Sequence, residues 1–283
     1  MDRIPKWDKN CKRVRVVRGG LGYVVKGQTL AEKFHGVKLP KRTRGDITRF
    51  SAPSARRLRE TLALARFKGG KASVWGFTFT IPGKVLPPSE VRRLWHDFAR
   101  EYMRQYHDVP MVWRIELQRR KQAHWHCVLW LDGMATYRAV LISELWRKVV
   151  RSHVGALSRK TDMGFDEHGV DMRCLDGATA TGLIGYLCDH ASKHKREQLG
   201  WRGRQWGVVN RHALDFEGVV AVDVEPEIHR QAARQFRRLQ EHLRRDGVYT
   251  GGSVTPLLEV TRSVFGNDAQ RLLKCYEVAR RGW

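Results

Sequence analysis

Two apolar runs rich in β-branched and aromatic residues, 111–118 and 124–131, are separated only by Arg119-Arg120-Lys121-Gln122-Ala123. Parallel strands need a crossover of a dozen or more residues, so a five-residue connection forces the two runs to pair antiparallel. They predict a β-hairpin with a basic tip, and the rest of the chain must supply a sheet to receive it. A third strand is expected over residues 73–81, where Val74, Trp75, Phe77, Thr78, Phe79, Thr80 and Ile81 precede the breaker Pro82-Gly83. Pro87-Pro88-Ser89-Glu90 opens a helix to about Tyr106 with Ser89 as the expected N-cap, and Val91, Leu94, Trp95, Phe98 and Tyr102 fall on one of its faces. Further helices are expected over about 54–66, 136–154, 178–197 and 225–245, and strands near 170–174 and 206–210. Residues 253–281 read as a helical tail interrupted at Gly266-Asn267. The fold class is α+β, a central antiparallel sheet with flanking helices.

Charge narrows the function. The 283 residues carry 53 Lys+Arg against 29 Asp+Glu, a formal charge of +24, which points to a polyanion and by default to nucleic acid. Residues 1–70 hold 19 Lys/Arg and five acids, and we read them as a basic N-terminal arm, partly ordered, that tracks phosphates. The expected organisation is this arm, a catalytic domain over 71–213, and a helical C-terminal segment over 214–283. A hydrophobic share of 42% excludes a wholly disordered chain. No run of about 18 apolar residues is present, so no membrane partner is expected. The start Met1-Asp2-Arg3-Ile4-Pro5-Lys6-Trp7 lacks the apolar stretch of a secretion signal. The five cysteines are scattered with no C-x-x-C pair, which suits a reducing cytoplasm and argues against a zinc ribbon.

The residues able to carry chemistry fall in two places. His124-Trp125-His126 lies inside a strand, and because side chains alternate, both imidazoles share a face while Trp125 points the other way, toward the core. Trp130 shares the histidine face, where core packing is favoured over stacking on a base. The hairpin makes Arg114, Glu116 and Gln118 cross-strand neighbours of the histidines, so Glu116, with Gln118 as its substitute, completes a two-His, one-carboxylate metal set. The second place is the helix around Tyr186, where Tyr186, His190 and Lys193 recur at i, i+4 and i+7 on one stripe. A phenol is a poor nucleophile until a neighbouring cation such as Lys193, or a metal-bound phosphate, favours its phenolate.

In order, Phe77-Thr78-Phe79-Thr80, the acidic strand leading into His124-Trp125-His126, and Tyr186 with Lys193 seven residues on resemble the three motifs of HUH endonucleases, specifically rolling-circle replication initiators of single-stranded DNA phages and plasmids. Gly203-Arg204-Gln205-Trp206-Gly207 is similar to the segment that follows the tyrosine helix in phage-type members. The resemblance covers about residues 73–210. It implies a central antiparallel sheet with the histidines on a middle strand, Mg²⁺ or Mn²⁺ held by His124, His126 and Glu116, and Tyr186 as the nucleophile that forms a 5′-phosphotyrosine. Lys193 would be the charge partner of the phosphate, and single-stranded or supercoiled origin DNA the substrate. Host helicase and polymerase would be partners, in the cytoplasm of a bacterial host. Arg119, Arg120, Lys121 and Arg204 are expected to contact DNA.

The chain departs from the phage-type pattern at one position. Where that pattern has a second tyrosine, this chain has His190, which leaves Tyr186 as the motif's one phenol. A single-tyrosine enzyme follows, with His190 as a candidate acid or base toward a 3′-hydroxyl. The alternatives are the same nicking chemistry in a transposase or mobilisation relaxase, a non-catalytic DNA-binding relative, and a zinc hydrolase, since two His and a Glu also make a hydrolytic zinc set. No G-x-x-x-x-G-K-[ST] run is present to supply helicase activity from within the chain.

Overall fold

The computed structural model describes residues 12–19, 22–29, 47, 50–83, 85–118, 122–175, 187, 203–216, 219–224, 226–246 and 263–281. It divides into two units, Arg44–Phe216 and a second made of Met1–Thr43 with Glu217–Trp283.

The first unit is built on an antiparallel five-stranded sheet. Its elements begin with α1 (Ala52–Leu64), a two-residue strand β3 (Arg66–Phe67), β4 (Ser73–Thr80) and α2 (Pro88–Gln105). The expected hairpin follows as β5 (Met111–Leu117) and β6 (Ala123–Leu131), then α3 (Ala135–Val154), α4 (Arg159–His168), β7 (Val170–Leu175) and β8 (Trp206–Val209). Strand order is β7-β4-β6-β5-β8, which puts the histidine strand in the middle with a hydrogen-bonded neighbour on each side. The short strand β9 (Leu214–Asp215) pairs with β3.

One face of the sheet carries the core. Trp75, Phe77 and Phe79 of β4, Met111 and Ile115 of β5, and Trp125, Cys127 and Leu129 of β6 alternate onto that face. They pack with Leu94, Trp95 and Phe98 of α2 and with Ile142, Trp146 and Val150 of α3. Aromatic rings dominate: Trp95 stacks on Trp125 with centroids 5.0 Å apart at 9°, and Phe98 meets Trp146 edge-on at 5.1 Å. Trp146 Nε1 donates to the Thr80 carbonyl at 3.1 Å, so its one polar atom is satisfied. Trp125 is thus core, as its alternation predicts, and Trp130 is buried on the opposite face, which removes it as a base-stacking residue. Phe98→Ala is expected to destabilise this unit by about 3–5 kcal/mol through the cavity it leaves, read from urea or thermal unfolding.

Local signals account for most of the helix boundaries, with one correction. Ser51 caps α1, its hydroxyl accepting from the Ser54 amide. Ser89 does not cap α2. The helix starts at Pro88 with Pro87 in the cap position, because a proline at the first helical site has no N–H to satisfy and its φ already suits a helix. The α4 helix, capped by Ser158, has no counterpart among the sequence-based elements.

The second unit holds two strands that the sequence reading, with its basic arm, does not contain: β1 (Lys12–Gly19) and β2 (Gly22–Thr29). They form the centre of an antiparallel sheet whose outer strands are β10 (Val219–Val224) beside β1 and β11 (Ser263–Phe265) beside β2. The strand cue in Arg13-Val14-Arg15-Val16 is a strict alternation, and its arginines draw attention to charge instead of period. The basic helix appears as α5 (Pro226–Arg245), and α6 (Gly266–Arg281) begins where the tail was expected to break. These two helices pack through Ala232, Phe236, Leu272, Cys275 and Ala279. Among the described residues no helix is long and apolar enough to cross a membrane.

Candidate metal centre

The histidines project from β6 on the face away from the α2–α3 core. Register fixes their neighbours: His124 lies opposite Glu116 and Thr80, and His126 opposite Arg114 and Thr78. A one-residue slip would send the carboxylate into the core, so the apolar alternation that seats Ile115 and Trp125 also delivers Glu116 to the histidines.

Three donor atoms converge. His124 Nε2 and His126 Nε2 are 3.0 Å apart, and Glu116 Oε2 lies 3.6 Å from the first and 3.4 Å from the second. Glu116, His124 and His126 are the one metal-compatible group of three such residues among those described. The triangle has the size expected of three neighbouring ligands on one small divalent ion, since bonds of about 2.1 Å put adjacent donors roughly 3.0–3.4 Å apart. The donor set therefore fits a divalent ion by both chemistry and spacing.

The far side of each imidazole is held. Thr78 Oγ1 lies 3.2 Å from His126 Nδ1, and the Gln118 side-chain amide lies 2.9 Å from His124 Nδ1. Held at Nδ1, each ring turns its Nε2 toward the centre. Gln118 therefore orients a histidine, and the third position of the triangle belongs to Glu116.

Charge is balanced by a second buried ion. Arg114 is 2% exposed, and its Nη2 lies 2.6 Å from Glu116 Oε1. Its guanidinium sits over the Phe50 ring at 4.6 Å, and Nη1 donates to the Leu187 carbonyl. Burial pushes the Glu116 carboxyl up, but hydrogen bonds from both imidazoles and the Arg114 charge outweigh it and hold the group well below the usual carboxylate range. For His126 burial wins over the attraction of Glu116, so its pKa lies below that of an ordinary imidazole and the neutral, metal-ready form is favoured. An open cleft of about 220 Å³ adjoins the pair, bounded by Gly76 and Thr78 of β4, Asp171 and Arg173 of β7, and Gln118.

The two histidines and the carboxylate lie inside a region that is similar to known proteins. Residues 74–195 match the family model of replication-associated proteins of the ORF2 kind. The chain is 26% identical over 255 residues to "Putative replication protein PDa0002" of Xylella fastidiosa strain Temecula1, covering 84% of this chain and 86% of that one. A second protein, "Putative replication protein XF_b0001" of Xylella fastidiosa strain 9a5c, is 31% identical over 180 residues, 58% of this chain and 57% of the relative. The chain is thus similar to replication proteins, and the similarity includes the histidine pair and Glu116.

Of the residues singled out in the sequence, Glu116, His124 and His126 come together, and Arg204 is exposed just before β8. Tyr186, His190, Lys193, Arg119, Arg120 and Lys121 lie outside the described residues. Leu187, which follows Tyr186 in the chain, is described, helical and buried, with its carbonyl on Arg114. Sequence reasoning placed Arg114 beside the histidines without giving it a role, and did not assign Thr78 or Arg173 to the site. Arg114 carried a usable signal, a charged residue two positions before Glu116 and so on the same strand face.

Proposed function

We propose that this chain is a replication initiator that nicks and rejoins single-stranded DNA at an origin through a metal-dependent tyrosine transesterification, starting rolling-circle replication. The observation that carries the reading is the convergence of His124 Nε2, His126 Nε2 and Glu116 Oε2 on the middle strands of an antiparallel sheet. That the same region matches a replication-associated family model supports it.

A divalent ion, Mg²⁺ or Mn²⁺ by the resemblance, would be held by Glu116, His124 and His126 and would polarise a non-bridging oxygen of the scissile phosphate. The Tyr186 phenolic oxygen attacks phosphorus, the bond from phosphorus to the 3′-oxygen breaks, and the phenol's proton passes to that oxygen. The products are a 5′-phosphotyrosine and a free 3′-hydroxyl. Lys193 favours the phenolate, and His190 takes the phenol's proton or supplies one to the leaving oxygen. Rejoining is the reverse attack, and because the phosphodiester energy stays in the adduct it needs no nucleotide. Arg204 and the tip residues Arg119, Arg120 and Lys121 hold phosphates along the strand. The setting proposed is the cytoplasm of a bacterial host, with helicase and polymerase supplied by it.

The cleft beside the histidines gives the strand a path. Gly76 adds no side chain there, and exposed Arg173 is the cation on its β7 side. Arg173→Gln is expected to raise KM for the strand about tenfold, leave kcat within about twofold, and flatten the salt dependence of binding by about one counterion. Initial rates of adduct formation at several salt concentrations check this.

The test of the function is a denaturing gel of the protein mixed with Mn²⁺ and single-stranded DNA from its own element's origin. A slow-migrating protein–DNA band is the expected result. Intact DNA binding with no such band under any divalent metal would overturn the nuclease reading in favour of a DNA-binding protein without chemistry.

A further inference from the structure

We propose that Arg114 is a positioning residue that couples engagement of Glu116 at the metal centre to the seating of the main chain at Leu187, the residue next to Tyr186. The inference rests on the reading of Glu116, His124 and His126 as metal ligands.

The two oxygens of Glu116 face different ways. Oε2 looks into the histidine triangle, and Oε1 meets Arg114 Nη2 at 2.6 Å. The guanidinium's other terminal nitrogen donates to the Leu187 carbonyl. Glu116, Arg114 and Leu187 thus form one chain of polar contacts leading from the metal centre to the backbone beside the proposed nucleophile. Both charged members are nearly excluded from water, at 2% for the arginine side chain and 7% for the glutamate.

Rigidity makes that chain a coupling device. A guanidinium is planar with its donors in a fixed fork, so pinning one nitrogen aims the other. Phe50 lies under the plane at 4.6 Å and limits its tilt. Oε2 meets the imidazoles only at 3.4 and 3.6 Å, long contacts that leave the carboxylate some freedom to turn about its last side-chain bond. Once Oε2 is engaged, the carboxylate plane is fixed, Oε1 becomes a stationary acceptor, and Arg114 holds Leu187 in one place. A lysine at 114 keeps the charge but has a single nitrogen, which cannot reproduce the fork.

The test uses the full chain with Mn²⁺ and no DNA, reading amide hydrogen exchange over residues 183–191 by mass spectrometry and Mn²⁺ binding by calorimetry. In the wild type, Mn²⁺ is expected to slow exchange there at least about threefold, and in Arg114→Lys Mn²⁺ still binds while the slowing falls below about 1.5-fold. In the strand-cleavage assay Arg114→Lys is expected to lower kcat about a hundredfold with KM within about twofold, the split expected of lost positioning. Should Arg114→Lys fail the circular-dichroism check for folding, Phe50→Leu carries the test, because it keeps the arginine and removes its platform. That variant is expected to halve the slowing, and unchanged slowing overturns the proposal. Slowing that persists in folded Arg114→Lys, or Mn²⁺ binding to wild type without slowing, overturns the coupling and leaves the metal reading standing. No Mn²⁺ binding to wild type overturns both.

Discussion

Tyr186→Phe is expected to abolish the covalent protein–DNA species, with strand cleavage reduced roughly a thousandfold or more, the scale on which an enzyme loses its nucleophile. The change removes one oxygen and nothing else, so DNA binding, Mn²⁺ binding and thermal stability should match wild type. The comparison is sharp because His190 stands where a second tyrosine would be in phage-type initiators, leaving no other phenol in the Tyr-x-x-x-His-x-x-Lys segment to take over. The assay is the denaturing gel run on Tyr186→Phe beside wild type, followed by proteolysis of the wild-type adduct to find the modified peptide. A band that survives Tyr186→Phe would keep the enzyme class and reassign the nucleophile.

His126→Ala is expected to remove the metal. Loss of residues that merely support ligands costs about 10–100-fold in metal affinity, so loss of one of three protein ligands should cost at least about a hundredfold. Calorimetry with Mn²⁺ would then show stoichiometric binding in wild type and none at micromolar concentration in the variant, and the covalent band would vanish with it. The histidine is buried on a central strand with Thr78 on its Nδ1, so some loss of stability accompanies the change. Gln118→Ala is its natural control, leaving the triangle intact and removing the partner of His124 Nδ1. Tight Mn²⁺ binding in His126→Ala would exclude the triangle as the metal centre. A wild-type preference for Zn²⁺, with hydrolysis and no adduct, would favour the zinc-hydrolase alternative.

The hairpin was the most legible part of the chain. A five-residue connection and period-two alternation were enough to put Glu116 opposite His124 and Trp125 in the core, because register in an antiparallel pair is set locally. Arg114 was legible as a neighbour but not in its role. An arginine in a strand reads as a solvated edge, and its burial depends on Phe50 and Leu187, 64 residues before it and 73 after it, which no local pattern reveals. The β1–β2 pair was missed for another reason. Its partners β10 and β11 lie some 200 residues away, so nothing near it in sequence states that further strands exist to extend it into a sheet.

That long-range sheet sets the order in which the chain can be completed. Every element of the five-stranded sheet and its metal centre lies within residues 44–216, whereas β1 and β2 must wait for β10 and then for β11 at Ser263–Phe265. During synthesis, with the N-terminus emerging first, the central pair of one sheet is on the outside of the ribosome while its flanking strands are still unmade. At roughly 5–20 residues per second, the delay between β2 and β11 is of the order of 10–50 seconds. A ribosome that stops early therefore releases a chain with the candidate metal centre's residues present and one sheet unfinished. Removing residues 1–43 would not trim a tail from this protein. It would leave β10 and β11 without the strands that join them.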